Sequence, residues 1–180
     1  MEKYIALLRG INVSGKRKIK MADLRDLLAL EGFENAQTYI QSGNVVFSAK
    51  AQTVRKLERQ ISTLIEKQYG FDVPVIVIEA SQIKEIMTVN PFLAESAKNL
   101  LTLYVAFLSD EPASETIKNI PPGQFLPDRF YIKGKHVFLC YATQYSNSKL
   151  NNNFLEKKLK VTATIRNWKT IKALAAMAGA

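Results

Sequence analysis

The sequence predicts an α+β chain with two antiparallel sheets. Three observations carry that expectation. Hydrophobic periodicity over residues 1–79 gives the order β-α-β-β-α-β. The same order returns over residues 101–180. Finally, Tyr39-Ile40-Gln41-Ser42-Gly43-Asn44-Val45-Val46-Phe47 can be laid without a gap over Tyr131-Ile132-Lys133-Gly134-Lys135-His136-Val137-Phe138-Leu139. Together these describe two tandem ferredoxin-like units, each a split β-α-β unit with helices on one sheet face. The expected division is a first unit at 1–79, a connecting helix and linker at 80–100, and a second unit with a C-terminal helix at 101–180.

Each element has its own reason. Residues 3–9 (KYIALLR) are almost continuously apolar, as in a strand buried on both faces. Residues 10–19 are a Gly- and Lys-rich loop. A helix follows from about Met21, with Leu24, Leu27 and Leu28 at helical spacing, and stops at Gly32. Strands at 37–42 and 44–48 meet in a tight turn at Gly43-Asn44. Val54, Leu57, Ile61, Leu64 and Ile65 stripe a helix that ends near Gly70. Val73 to Ile78 is a β-branched strand. Residues 80–89 read as a short helix closed by Asn90-Pro91. In the second half the sequence predicts strands at 101–108, 129–133, 136–142 and 161–165. Helices are expected at 113–119, ending before Pro121-Pro122-Gly123, at 149–159 with Ser148 as its cap, and at 168–178.

Composition excludes several classes. The chain has 180 residues, 47 % hydrophobic and 23 % charged, an ordinary globular mix. No run approaches the 18 or so apolar residues of a membrane-spanning helix, and the N-terminus has no cleavage-site pattern. One cysteine, Cys140, allows no internal disulfide. One cysteine and one histidine, His136, make no Cys/His zinc site. A cytoplasmic, reduced protein with no metal and no cofactor is expected.

The net charge of +9 is uneven. Residues 1–20 carry six basic side chains against Glu2, and residues 149–172 carry seven against Glu156. The rest of the chain has 12 basic and 14 acidic residues, so the whole excess lies in these two segments. Brought together, they would make one basic patch that concentrates anions.

Four motifs invite chemistry. Gly10 to Arg17 nearly matches the phosphate-loop pattern G-x-x-x-x-G-K-[ST], but Arg17 stands where a Mg²⁺-binding hydroxyl is needed. A looser anion loop would use backbone N–H groups with Lys16 and Arg17. Gln41, Ser42 and Asn44 are either turn formers or a polar recognition loop beside Arg9 and Asn12. Arg166-Asn167-Trp168-Lys169 offers a guanidinium fork for phosphate and an indole for stacking or for the core, while Asn167 can cap the last helix. Ser146 and Lys149 have Ser-x-x-Lys spacing without the second motif such a nucleophile needs. His136 lacks an evident acid or serine partner, and Cys140 sits in an apolar strand. Neither third strand carries the aromatic string of an RNA-recognition sheet.

Leu8-Arg9-Gly10-Ile11-Asn12-Val13, Thr38-Tyr39-Ile40-Gln41-Ser42-Gly43-Asn44, Asn90-Pro91-Phe92 and Thr164-Ile165-Arg166-Asn167-Trp168-Lys169-Thr170 together resemble the domain of unknown function 1697 family. The resemblance spans nearly the whole chain. It implies a bacterial-type cytosolic α+β protein with a tandem ferredoxin-like arrangement, and it implies no activity. This chain has Ser14 where the family pattern has glycine.

The leading functional expectation is binding of an anionic ligand, nucleic acid or a nucleotide, at a basic surface of residues 9–20 and 149–172. Its contacts would come from Arg9, Asn12, Lys16, Arg17, Gln41, Ser42, Asn44, Lys149, Arg166, Asn167, Trp168 and Lys169. One alternative is a small enzyme acting on a phosphorylated or carboxylated metabolite in a cleft between the units, with Gln41, Ser42 and Asn44 donating hydrogen bonds. Another is a protein-interaction module, whose mark would be an exposed apolar patch within the basic surface.

Overall fold

The computed structural model describes residues 1–94, 102–121 and 123–179. The linker up to residue 100, the first residue of the strand expected at 101–108, and Pro122 lie outside the described residues. The chain is α+β, with two four-stranded antiparallel sheets in two compact units. Unit one is Met1–Met87 with Lys172–Ala180, and unit two is Thr88–Ile171.

Unit one runs β1 (Glu2–Leu8), α1 (Met21–Leu30), β2 (Glu34–Tyr39), β3 (Asn44–Ala49), α2 (Val54–Tyr69) and β4 (Val75–Glu79), followed by α3 (Ala80–Val89). Its strand order is β2-β3-β1-β4. Met21, Leu24 and Leu28 of α1 and Leu57, Ile61 and Ile65 of α2 bury their stripes in one core with Tyr4, Ala6, Leu8, Val45 and Phe47. Ile5, Leu7, Val46 and Ile76, which alternate with those strand residues, are buried as well. That explains the unbroken apolar run of β1. The free edge of β4 is plugged locally, because the Val77 N–H donates to Glu58 Oε1 at 3.0 Å.

Unit two runs β5 (Leu103–Leu108), α4 (Ser114–Lys118), β6 (Arg129–Lys133), β7 (His136–Cys140), α5 (Asn152–Leu159) and β8 (Ala163–Asn167), then enters α6 (Trp168–Ala178). Its strand order, β6-β7-β5-β8, repeats that of unit one. Leu155 and Leu159 of α5 pack with Ala106, Leu108, Val137 and Leu139. Here too a glutamate of the second helix serves the edge strand, Ala163 N–H donating to Glu156 Oε1 at 3.0 Å.

Several expected boundaries move for local reasons. β2 starts at Glu34 rather than 37, because a bulge with Asn35 at φ +54° lets the strand begin earlier. The expected tight turn at Gly43-Asn44 is a four-residue loop, since Tyr39 pairs directly with Asn44. Ser148 does not cap α5. Asn151 does, accepting from Phe154 N–H at 3.1 Å, and the Ser148 hydroxyl donates to Asp128 at 2.6 Å instead. The last strand lies at 163–167, two residues later than expected. The unit division also differs from borders at 79 and 101. α3 up to Met87 belongs to unit one, as does α6 from Lys172 onward, where Lys3 Nζ donates to the Ala178 carbonyl at 3.1 Å.

Candidate functional site: a braced basic loop in unit one

β1 ends where three segments meet. Leu8 N–H donates to the Gly43 carbonyl at 2.8 Å, and Arg9 N–H donates to the Pro74 carbonyl at 2.9 Å. The chain then makes the long loop of residues 9–20. Ile11 and Ile19 are buried in the unit-one core and anchor its two ends. Between them lies a miniature hairpin. Lys16 N–H donates to the Val13 carbonyl at 3.0 Å, and Asn12 N–H to the Arg17 carbonyl at 3.2 Å. Ser14 and Gly15 at its tip both have positive φ, +50° and +73°, as a type I′ turn requires.

Asn12 holds this hairpin in place. Its Nδ2 donates to the Ile19 carbonyl at 2.9 Å and to the Gln41 carbonyl at 2.8 Å, and its Oδ1 accepts from Ile19 N–H at 2.9 Å. One side chain thus closes the loop on itself and ties it to the loop 40–43. Gly43 locks the second loop from beneath: a Cβ there would lie 2.6 Å from Leu8 Cβ and 2.9 Å from Ile11 Cδ1. Within that loop Asn44 is buried, and its Nδ2 donates to the Tyr39 carbonyl at 2.9 Å and to Ser42 Oγ at 3.0 Å.

The braced loops present Lys16, Arg17, Lys18 and Lys20 to solvent, and Arg9 is half-buried at their base. Two apolar side chains share the surface. Val13 is 58 % exposed and Ile40 51 % exposed. Each is the immediate chain neighbour of one partner in the Asn12–Gln41 hydrogen bond. Ile40 also has φ +50°, a left-handed conformation that is costly for a β-branched residue. Sequence reasoning missed this pair, because an apolar residue in a loop reads as core filler and only positive φ and exposure reveal it.

The phosphate-loop likeness does not extend to geometry. Arg17 closes the hairpin, and α1 starts only at Met21 behind Lys20, which makes no side-chain cap. The helix N-terminus therefore does not follow directly on the glycine-rich turn.

In unit two, Lys149 and Lys169 are exposed. Trp168 is 3 % exposed and belongs to the interior. Asn167 Oδ1 caps α6, accepting from Thr170 N–H at 2.8 Å. Arg166 is only 8 % exposed, and its Nη1 donates to Thr164 Oγ1 at 2.7 Å and to the Ile165 carbonyl at 3.0 Å. Burial pushes its guanidinium down to about 10, which leaves it a cation at neutral pH. Ser146 lies in a short 3-10 turn at Tyr145–Asn147 and Lys149 beyond it, so the two share no helical turn. The His136 ring meets Phe107 edge-on at 5.5 Å, and Cys140 is buried. Among the described residues no group of three or more His, Cys, Asp or Glu could hold a metal ion. None of their helices is long and apolar enough to cross a membrane.

Two antiparallel sheets of matching strand order, with one long braced basic loop, define an α+β class without naming a reaction. The chain belongs to the family described as Protein of unknown function (DUF1697), whose family model matches residues 1–138. Among solved structures it is similar to the conserved bacterial protein SP0830 from Streptococcus pneumoniae. The TM-score is 0.78 at 24 % identity, with 98 % of each chain covered, a likeness that shows the fold. No curated protein matches the chain.

Proposed function

We propose that unit one binds an anionic ligand, nucleic acid or a nucleotide, on the loop 9–20. The observation that carries this is the bracing of a loop with five basic and no acidic residues by backbone hydrogen bonds and by Asn12. Cations held on an ordered hairpin lose less entropy on binding than cations on a free loop. The exposed Lys149, Lys157, Lys160, Lys169 and Lys172 add to the long-range attraction for the same ligands. A cytoplasmic location fits the single buried cysteine. The finer fold reading, a ferredoxin-like unit repeated in tandem, is supported by the repeated strand order with a helix after the first and third strand of each sheet.

The test is fluorescence anisotropy of labelled mixed-sequence RNA and DNA strands at low and near-physiological salt. The expected result is micromolar binding that weakens steeply with salt. The Lys16→Ala/Arg17→Ala variant should bind more weakly and flatten the logarithmic salt slope by about one to two units, close to 0.9 per lost phosphate contact. Absence of binding at low salt, or an unchanged variant, overturns the reading.

A second reading, a protein-interaction module, is favoured by Val13 and Ile40 standing exposed within the basic surface. Val13→Ser with Ile40→Asn separates the two. Loss of nucleic-acid affinity assigns the apolar pair to nucleic acid. Unchanged affinity leaves the pair for an acidic protein partner. The enzyme reading gains no comparable support, since the Asn44 amide is already engaged with Tyr39 and Ser42.

A further inference from the structure

We propose that unit two carries a separate binding site for an uncharged planar heterocycle of the nucleobase kind, in the cleft beside Tyr104. The cleft has a volume of about 580 Å³ and lies between the start of β5 and the segment 142–146. That size falls within the roughly 300–1,000 Å³ typical of small-molecule sites. Its wall is aromatic. The Tyr104 and Tyr145 rings stack at 5.4 Å and 25°, and Tyr141 meets both edge-on at 5.1 and 5.5 Å. Its rim is polar, with Thr143, Gln144 and Ser146. No charged side chain lines it among the described residues.

Comparison with unit one makes the argument specific. Tyr4-Ile5-Ala6-Leu7-Leu8 of β1 corresponds to Tyr104-Val105-Ala106-Phe107-Leu108 of β5, and Tyr4 pairs with Glu79 as Tyr104 pairs with Asn167. Tyr4 is a core residue, 3 % exposed, and its hydroxyl donates to the Gln52 carbonyl at 3.2 Å. The Tyr104 side chain is half-buried, and its hydroxyl makes no hydrogen bond among the described residues. The neighbouring Tyr141 hydroxyl is committed, donating to the Leu150 carbonyl at 2.7 Å. Packing therefore does not require the Tyr104 oxygen, yet it stands at an aromatic cleft beside the unengaged side chains of Thr143 and Gln144.

These groups complement one ligand class. A flat ring gains from stacking on tyrosine, and base–aromatic stacking contributes about 1–3 kcal/mol per base. The Gln144 amide offers a donor and an acceptor side by side, matching the hydrogen-bonding edge of a base. The uncharged lining favours a neutral nucleoside over its phosphate. The site does not depend on the anion-binding reading of unit one.

Saturation-transfer NMR and titration of the full chain with adenosine, guanosine, cytidine and uridine test it, with ribose and the 5′-monophosphates as controls. At least one nucleoside should bind saturably, ribose should not, and the monophosphate should bind no tighter. Tyr104→Phe, which keeps the ring, and Gln144→Ala, on the exposed segment, should each weaken binding about two- to tenfold. Circular dichroism checks that both variants fold. The proposal is overturned if no nucleoside saturates, if ribose binds equally, or if the double variant binds like the parent. A tighter monophosphate whose advantage disappears in Lys16→Ala/Arg17→Ala also overturns it, and assigns the ligand to the basic loop.

Discussion

The two units share a frame and diverge in one connection. In unit one the residue ending the first strand, Leu8, donates its N–H to the Gly43 carbonyl at 2.8 Å. In unit two Leu108 donates to the Lys135 carbonyl at 2.9 Å. The next residues repeat the match, Arg9 to Pro74 and Ser109 to Thr162, both at 2.9 Å. From there the chains part. Unit one spends residues 9–20 on a basic, doubly tied loop before a helix that buries three residues. Unit two spends only residues 109–113, including Asp110 and Glu111, before a five-residue helix that buries none. Conservation of the frame with variation of the connection places specificity in the loop, where backbone can change without disturbing the ladders.

The largest test of that comparison is at the seam between frame and loop. Gly43→Ala puts a methyl 2.6 Å from Leu8 Cβ at a position with φ +78°. Overpacking and left-handed strain together should cost about 3 kcal/mol. Lys135→Ala at the matching position of unit two should change stability by less than about 0.5 kcal/mol. Urea unfolding measures both, and similar values for the two would show that the seam is no tighter in unit one than in unit two.

A smaller effect should follow from Asn12→Ala, which removes three hydrogen bonds while leaving the sheet intact. The expected loss is about 2 kcal/mol, concentrated in the loop. Faster amide exchange at Ile19 and faster tryptic cleavage around Lys16 to Lys18 would report it, and unchanged exchange would mean the loop is held by other contacts.

The smallest change is expected at the C-caps of the second helices, where Gly70 and Lys160 occupy the same left-handed position at φ +76° and +59°. Lys160→Gly should stabilise unit two by about 1 kcal/mol, and Gly70→Ala should destabilise unit one by a similar amount. A destabilised Lys160→Gly would mean that the lysine stem contributes packing that outweighs its strain.

Much of the frame is legible in the residues. The stripe Leu57, Ile61 and Ile65 places α2, and the apolar run of β1 announces burial on both faces. The overlay of the two hairpins survives in the registers, since Tyr39 pairs with Asn44 and Tyr131 precedes the equivalent His136 turn. The candidate site is legible only in part. Lys16 and Arg17 stand exposed as basic loop residues should, but nothing in Arg166-Asn167-Trp168-Lys169 reveals that the arginine and the tryptophan are buried while the lysine between solvent and helix is not. A five-residue strand followed at once by a helix changes periodicity within the motif, so sidedness there follows from packing.

By itself the sequence determined where the apolar periodicity runs, hence the element order, the repeat of that order and the confinement of excess charge to two segments. These are local properties, set by spacings of two and of about 3.6 residues. Only the tertiary structure decided that Asn12 would spend its side chain on Ile19 and Gln41, and that Gly43 would press on Leu8 and Ile11. It also decided that Tyr4 would close a core while Tyr104 opens on a cleft. Those outcomes depend on residues tens of positions apart, and hydrogen bonds and contacts across such separations leave no periodic trace in the chain.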